Sequence, residues 1–159
     1  FSCQFIGKKG TYINFISDEL RKKFTEINHP LPPENTMLGA LDDDIYQCVG
    51  FSSRVDAQIF EDAKIDIKIV YSMPNCLDLI PYDSGKDKGI DAVLERFNLP
   101  LESTIAFGDG NNDITMLKHA NIGVAMGNAS EEVKAVADYI TDNAIDNGLV
   151  KAFKHFNIL

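Results

Sequence analysis

The chain has 159 residues, 45% of them apolar and 25% charged, enough to bury a core in one domain or in two small ones sharing an interface. Lys and Arg number 15 against 24 Asp and Glu, a net charge of −9, and no segment concentrates the basic residues; this argues against a nucleic-acid or anionic-lipid partner. No apolar run approaches the roughly 20 residues that span a bilayer, and Cys3, Cys48 and Cys76 are widely spaced without a CxxC pair, the pattern of small buried thiols in a reducing, cytoplasmic compartment.

In chain order, GTYINFIS (Gly10 to Ser17) is rich in β-formers and runs into Ser17-Asp18, a helix cap before ELRKKFTEI. HPLPPEN, from His29 to Asn35, carries three prolines and reads as an extended loop. Ile45 to Phe51 alternates like a strand. SRVDAQIFEDA, residues 53–63, places Val55, Ile59 and Phe60 on one helical face. Ile67 to Ser72 and Cys76 to Pro81 read as two strands of a hairpin, turned at Met73-Pro74-Asn75.

From Tyr82 the texture changes. DSGKDKG is a polar loop, and IDAVLERFN a helix with Ile90, Val93, Leu94 and Phe97 as its stripe. STIAFGDG predicts a strand and a glycine turn, NDITMLKHA a short helix, and IGVAMG a second strand with the same ending. SEEVKAVA reads as a helix with Ser130 as N-cap and an acidic first turn. DYITD is a third strand and NGLVKAFKHF a closing helix. Strands separated by helices of about ten residues predict a parallel sheet covered on both faces. The chain thus divides into an α+β module over 1–81 and an α/β module over 82–159.

The chemistry gathers in FGDGNNDITML, Phe107 to Leu117. Ligands of open α/β sheets bind beyond the carboxyl ends of the strands, and Asp109, Asn112 and Asp113 all follow such an end. Gly108 and Gly110 allow a tight turn and close approach of a ligand. Carboxylate and amide oxygens there suit Mg²⁺, which favours one or two carboxylates plus water and phosphate oxygens. The N–H groups opening the next helix favour an anion. A strand-to-helix turn alone uses the same residue types.

GDGNNDITML followed by ANIGVAMGNASEEVKAVADYIT resembles the C-terminal half of the haloacid dehalogenase-like hydrolases, and more narrowly the Cof-type branch of sugar and small-phosphoester phosphatases. GKDKGIDAVLERFNLP is similar to that branch's segment in which a lysine-glycine pair opens a helix. The resemblance is close over Leu77 to Phe156; the first 76 residues match the family's cap module only in general pattern. It implies half of a Rossmann-like parallel-sheet core joined to an α+β cap of the C2 type. It also implies Mg²⁺-dependent hydrolysis of sugar phosphates or similar small phosphorylated metabolites through an aspartyl-phosphate. On that reading Asp109 is a direct Mg²⁺ ligand and Asp113 a second acidic group steadying the metal and its waters. Asn112 contacts the phosphoryl oxygens, and Lys88, directly before Gly89, neutralises the phosphate and the attacking carboxylate. Lys86 is read as a solvated loop lysine, His119 as a cap or surface residue, and His29 and His155 as isolated. Gly127-Asn128-Ala129 reads as a turn beneath the site, and Asn143, Asp146 and Gly148 as structural.

The resemblance further implies an aspartate nucleophile and an acid–base aspartate two residues later, in a DxDGT-type signature. Asp42-Asp43-Asp44 precedes a strand and leads into Ile-Tyr-Gln; Asp18 leads into Glu-Leu-Arg; Asp83 and Asp87 flank the lysine loop. None fits. The expectation is a C-terminal fragment, cap plus second half of the core, inactive without the N-terminal part of the same protein. Two rival readings stand beside it. One is the phosphorylation domain of a cation-pumping P-type ATPase, which carries similar GDGxND and IGxAMG motifs. The other is a non-catalytic binding protein that has lost its nucleophile.

Overall fold

A computed structural model describes residues 2–26, 28–34, 36–51, 58–60, 62, 65–73 and 75–159. Two compact units divide the chain, Phe1–Tyr82 and Asp83–Leu159.

The first unit contains β1 (Ser2–Gly7), β2 (Thr11–Ile13), α1 (Asp18–Glu26), α2 (Met37–Ala40), β3 (Ile45–Phe51), β4 (Ile67–Met73) and β5 (Cys76–Pro81). Its strands form one sheet in the order β2-β1-β3-β5-β4, every pairing antiparallel. The period of two is plain in β5. Leu77 and Leu79 are buried on one face with Ile67, Ile69, Tyr71 and Phe60. Asp78 between them accepts a hydrogen bond from Gln47 Nε2 at 3.0 Å. In α1 the buried pair Leu20 and Phe24, four residues apart, packs with Ile13. Ser17 caps this helix as expected, its Oγ accepting from Leu20 N–H at 3.2 Å.

Two elements differ from the sequence reading. The strand expected over Gly10 to Ser17 is only Thr11–Ile13. Asn14 Oδ1 accepts from both Cys3 N–H and Phe15 N–H at 2.8 Å, a side-chain alternative to the ladder that ends it. Ser2–Gly7, not read as a strand, lies inside the sheet between β2 and β3. Of the helix expected over 53–63, residues 58–60 and 62 are helical and the others, Val55 included, lie outside the described residues, as does Pro74 of the hairpin turn.

The second unit contains α3 (Lys86–Phe97), β6 (Ile105–Gly108), a 3-10 turn (Asn111–Asp113), α4 (Ile114–His119), β7 (Ile122–Ala125), α5 (Glu131–Lys134), β8 (Tyr139–Ile140) and α6 (Gly148–His155). The strands are parallel in the order β6-β7-β8. On one face Ala106 and Ala125 pack with Leu117 of α4, Val133 of α5 and Ile90 of α3. On the other, Phe107 meets Phe153 of α6 edge to face at 5.3 Å. Both faces of the sheet are therefore covered, as alternating strands and helices require. Gly123 allows α4 to lie close on β7, since a Cβ there would stand 2.3 Å from the Leu117 carbonyl oxygen.

The first turn of α3 lies where a loop was expected. Lys86, Asp87 and Lys88 are helical, and Gly89 N–H donates to the Gly85 carbonyl at 2.9 Å. Polar residues at an open helix start carry no apolar period, so the sequence pattern begins a turn late.

Candidate active site

β6 delivers the chain to its carboxyl end at Gly108, where a Cβ would stand 2.5 Å from Asp113 Cβ. The glycine therefore lets Asp113 fold back over the strand end. Asp113 is buried, and its Oδ2 accepts from Asp109 N–H at 3.0 Å and Gly110 N–H at 3.1 Å. Its Oδ1 receives the Lys86 ammonium from the first turn of α3. Burial alone would push the Asp113 carboxyl up, but the Lys86 ammonium and the two N–H donors outweigh it and hold the group below its ordinary value. Asp113 is thus saturated by protein donors and clamps the turn and the lysine together.

The two lysines part company. Lys86 and Lys88 are two residues apart on a helix, about 200° of rotation, so they cannot face one turn together. The side chain of Lys86 is 49% exposed while bonded to Asp113. Lys88 points elsewhere, 3.5 Å from Asp91 Oδ2. Asp91 Oδ1 is bonded to His119 Nε2, which ties α3 to the end of α4. The sequence reading gave the phosphate role to Lys88 and a solvated loop to Lys86, whereas Lys86 is the lysine that reaches the acidic turn.

Asp109 is exposed, and its Oδ2 accepts from Asn128 Nδ2 at 2.8 Å. Asn128 Oδ1 in turn accepts from Ala144 N–H at 3.1 Å. Asn112 is half-buried, its Oδ1 lying over Gly110, 2.6 Å from where a Cβ would stand. Ser130, expected to cap α5 with its hydroxyl, instead donates to Asn111 Oδ1 at 3.2 Å. Asn111 Nδ2 lies 3.4 Å from Glu132 Oε2.

Sequence reasoning missed Asn128, taking it for a turn residue. One signal pointed to it: Gly108 and Ala125 are register partners at the ends of β6 and β7, so the turns that follow them are neighbours. Other candidates have partners of their own. Asp43 Oδ2 accepts from Lys9 N–H and Tyr12 OH, both at 2.9 Å, within the first unit. His155 stacks on Tyr139 at 4.0 Å, and His29 Nδ1 lies 2.9 Å from the Pro30 carbonyl.

Among the described residues no three His, Cys, Asp or Glu side chains converge on a metal position. Mg²⁺ needs no such cage, since it takes one or two carboxylates and completes its shell with water and phosphate oxygens. Asp109 fits that requirement: it is exposed, and among the described residues its Oδ1 has no protein donor.

A Lys–Asp clamp and an exposed carboxylate at the end of a parallel strand accompany a sequence match to haloacid dehalogenase-like hydrolases over residues 2–153. The chain belongs to that family. Over 91 residues it is 40% identical to the 5-amino-6-(5-phospho-D-ribitylamino)uracil phosphatase YcsE of Bacillus subtilis, a match covering 57% of this chain and 36% of that protein. The fold is that of a solved HAD subclass IIB sugar phosphatase, BT4131, with a TM-score of 0.90 and 33% identity over 99% of this chain and 61% of that one. BT1666 from Bacteroides thetaiotaomicron, a phosphatase of the same superfamily, matches with a TM-score of 0.85 and 29% identity, covering 100% of this chain and 60% of its own. The match covers 36%, 32% and 41% of the length of three curated relatives, the B. subtilis phosphatases YcsE, YkrA (putative) and YwpJ. Among the described residues no helix is long and apolar enough to cross a membrane.

Proposed function

We propose that this chain is part of a Mg²⁺-dependent phosphomonoester hydrolase acting on sugar phosphates or similar small phosphorylated metabolites. The observation that carries the reading is the Lys86–Asp113 clamp beside the exposed carboxylate of Asp109, at the turn where a haloacid dehalogenase-like hydrolase has its GDxxND motif. Family membership and the phosphatases among its relatives favour hydrolysis over ion pumping or binding without catalysis. The names of those relatives, a phosphoribityl-uracil phosphatase and a sugar phosphatase, point to small phosphorylated metabolites.

In this assignment Asp109 Oδ1 is the direct Mg²⁺ ligand. Mg²⁺ when bound would neutralise charge on the substrate phosphate. Asp113 holds the Asp109–Gly110 backbone and the Lys86 ammonium in register for that site. Lys86 takes the role first given to Lys88: a half-exposed point charge anchored at one side can follow a phosphoryl group as it moves. Asn112, beside Gly110, donates to a phosphoryl oxygen. The aspartate pair of an aspartyl-phosphate route has no counterpart in this sequence, so we assign it to the N-terminal part of the same protein. The first unit takes the role of a C2-type cap. Its Cys3, Cys48 and Cys76 are free thiols, in keeping with a cytoplasmic setting.

The test is made on a protein spanning the full length of the relatives, assayed with a panel of phosphosugars in Mg²⁺. Lys86→Ala should lose most of the turnover while Lys88→Ala keeps it. Hydrolysis that survives both Lys86→Ala and Asp109→Ala would sink the assignment.

A further inference from the structure

We infer that Asn128 is a positioning residue for Asp109: by tying carboxylate oxygen Oδ2 to the turn after β8, it fixes Oδ1 as the oxygen left to meet a divalent cation. The inference rests on the proposed metal role of Asp109.

The amide of Asn128 has one permitted orientation. Ala144 N–H can only donate, so the atom facing it at 3.1 Å must be the amide oxygen. The Asp109 carboxylate can only accept, so the atom facing it at 2.8 Å must be the amide nitrogen. Each contact enforces the other. A free asparagine can flip its amide to follow a carboxylate; this one cannot.

The three residues also belong to three turns. Asp109 follows β6, Asn128 follows β7 and Ala144 follows β8, so the chain of bonds runs across the carboxyl ends of the whole parallel sheet. Asn128 starts from a pinned backbone. Gly127 N–H donates to the Asp142 carbonyl at 3.1 Å, and a Cβ on Gly127 would stand 2.7 Å from Asn143 N. On the other side, Asp109's own N–H is held by Asp113 Oδ2 at 3.0 Å. The Asp109 side chain is thus gripped at its backbone and at Oδ2, which leaves Oδ1 as a single, oriented ligand atom. A hydrogen bond to an ionised carboxylate is among the stronger kind. Loss of such a partner to a metal-binding side chain typically costs about 10–100-fold in metal affinity.

Two substitutions test this in the full-length protein, by calorimetric titration with Mg²⁺ in the absence of substrate. Asn128→Ala removes both contacts and should weaken Mg²⁺ binding by about 10–100-fold. Its thermal midpoint without Mg²⁺ should stay near that of the unsubstituted protein. If turnover is followed as well, kcat should recover in excess Mg²⁺, a split that a merely structural turn would not produce. Ala144→Pro removes the outer donor and sets its Cδ where the N–H stood, so the Asn128 amide loses that anchor and must give way. The substitution suits the backbone, because Ala144 opens a 3-10 turn and Asn143 before it is extended at φ −58° and ψ 154°. This variant should weaken Mg²⁺ binding by a smaller factor than Asn128→Ala. Unchanged Mg²⁺ affinity in a folded Asn128→Ala overturns the inference and leaves the metal role of Asp109 standing. If that variant does not fold, unchanged affinity in Ala144→Pro overturns it instead. Failure of the unsubstituted protein to bind Mg²⁺ overturns the proposed metal role, and this inference falls with it.

Discussion

The first unit keeps its order through side chains on a wide antiparallel sheet, and the second through backbone turns on a narrow parallel one. In the first, large residues such as Ile13, Leu20 and Leu77 are fully buried and define the packing. In the second, the strands are four, four and two residues long, and beside the fully buried Leu117, Val124 and Val133 much of what is buried is small: Ala106, Ala125 and Ala129. Short strands with small residues let the turns at their ends approach one another. Asp109, Asn128 and Ala144 can therefore be linked in a chain of hydrogen bonds no side chain longer than asparagine is needed to make. On the proposed assignment, the contrast separates residues that set stability from residues that set chemistry.

The sharpest way to break that separation is at the lysines. Lys86→Ala in the full-length protein should lower kcat by about 10²–10³-fold, the scale of losing one preorganised charge partner of a transition state. Lys88→Ala, which gives up only a contact to Asp91, should leave kcat within a few-fold. Equal losses in steady-state assays would mean that the phase of α3 does not decide the site.

Stability should respond in the other direction. Leu77→Ala in the first unit should cost about 2–5 kcal/mol in urea denaturation while leaving Mg²⁺ binding unchanged. Gly123→Ala in the second should cost about 1–3 kcal/mol, because its Cβ would meet backbone that a rotamer change cannot move aside. A Leu77→Ala protein of normal stability would show that the first sheet is not held by the residues its alternation buries.

Asp113 adds a dependence on pH. Its folded carboxyl titrates below the unfolded value, which is about 3.9 for an aspartate. The unfolded state therefore binds more protons in that window, and this contribution to stability is complete above about pH 5 and is lost as pH falls through the depressed folded value. Denaturation midpoints should be flat toward neutrality and fall below about pH 4. Asp113→Asn should lower the plateau and shallow the fall. A fall of unchanged depth would place the titrating groups elsewhere.

These effects fall unevenly on what was legible in the sequence. Strands β6 and β7, the glycine turns that follow and the helices after them were readable because strand and turn signals there are local. Leu77 and Leu79 were readable from alternation. The contact of Lys86 with Asp113 was not, because it depends on where α3 begins, and the polar first turn hides that start. β1 lacks a clean alternation and is recognisable only by its partners on both sides. Asn128 lies 19 residues from Asp109, and only the pairing of β6 with β7 brings them together.

The smallest effect concerns two serines, each at the N-terminus of a helix. Ser17 Oγ accepts from Leu20 N–H at 3.2 Å and so fills one of the open donors of α1. Ser130 stands at the same position before α5, with φ −66° and ψ 159°, but makes no such bond. Its hydroxyl instead reaches Asn111, beside the acidic turn. Ser17→Ala should therefore cost about 1 kcal/mol, the usual value of a lost cap. Ser130→Ala should cost less, on the order of 0.5 kcal/mol, the low end for a hydrogen bond open to solvent. Matched denaturation curves of the two variants read the difference directly. Equal losses would make Ser130 a cap after all, and would place the polar side chains of the second unit in the service of its helices instead of its turns.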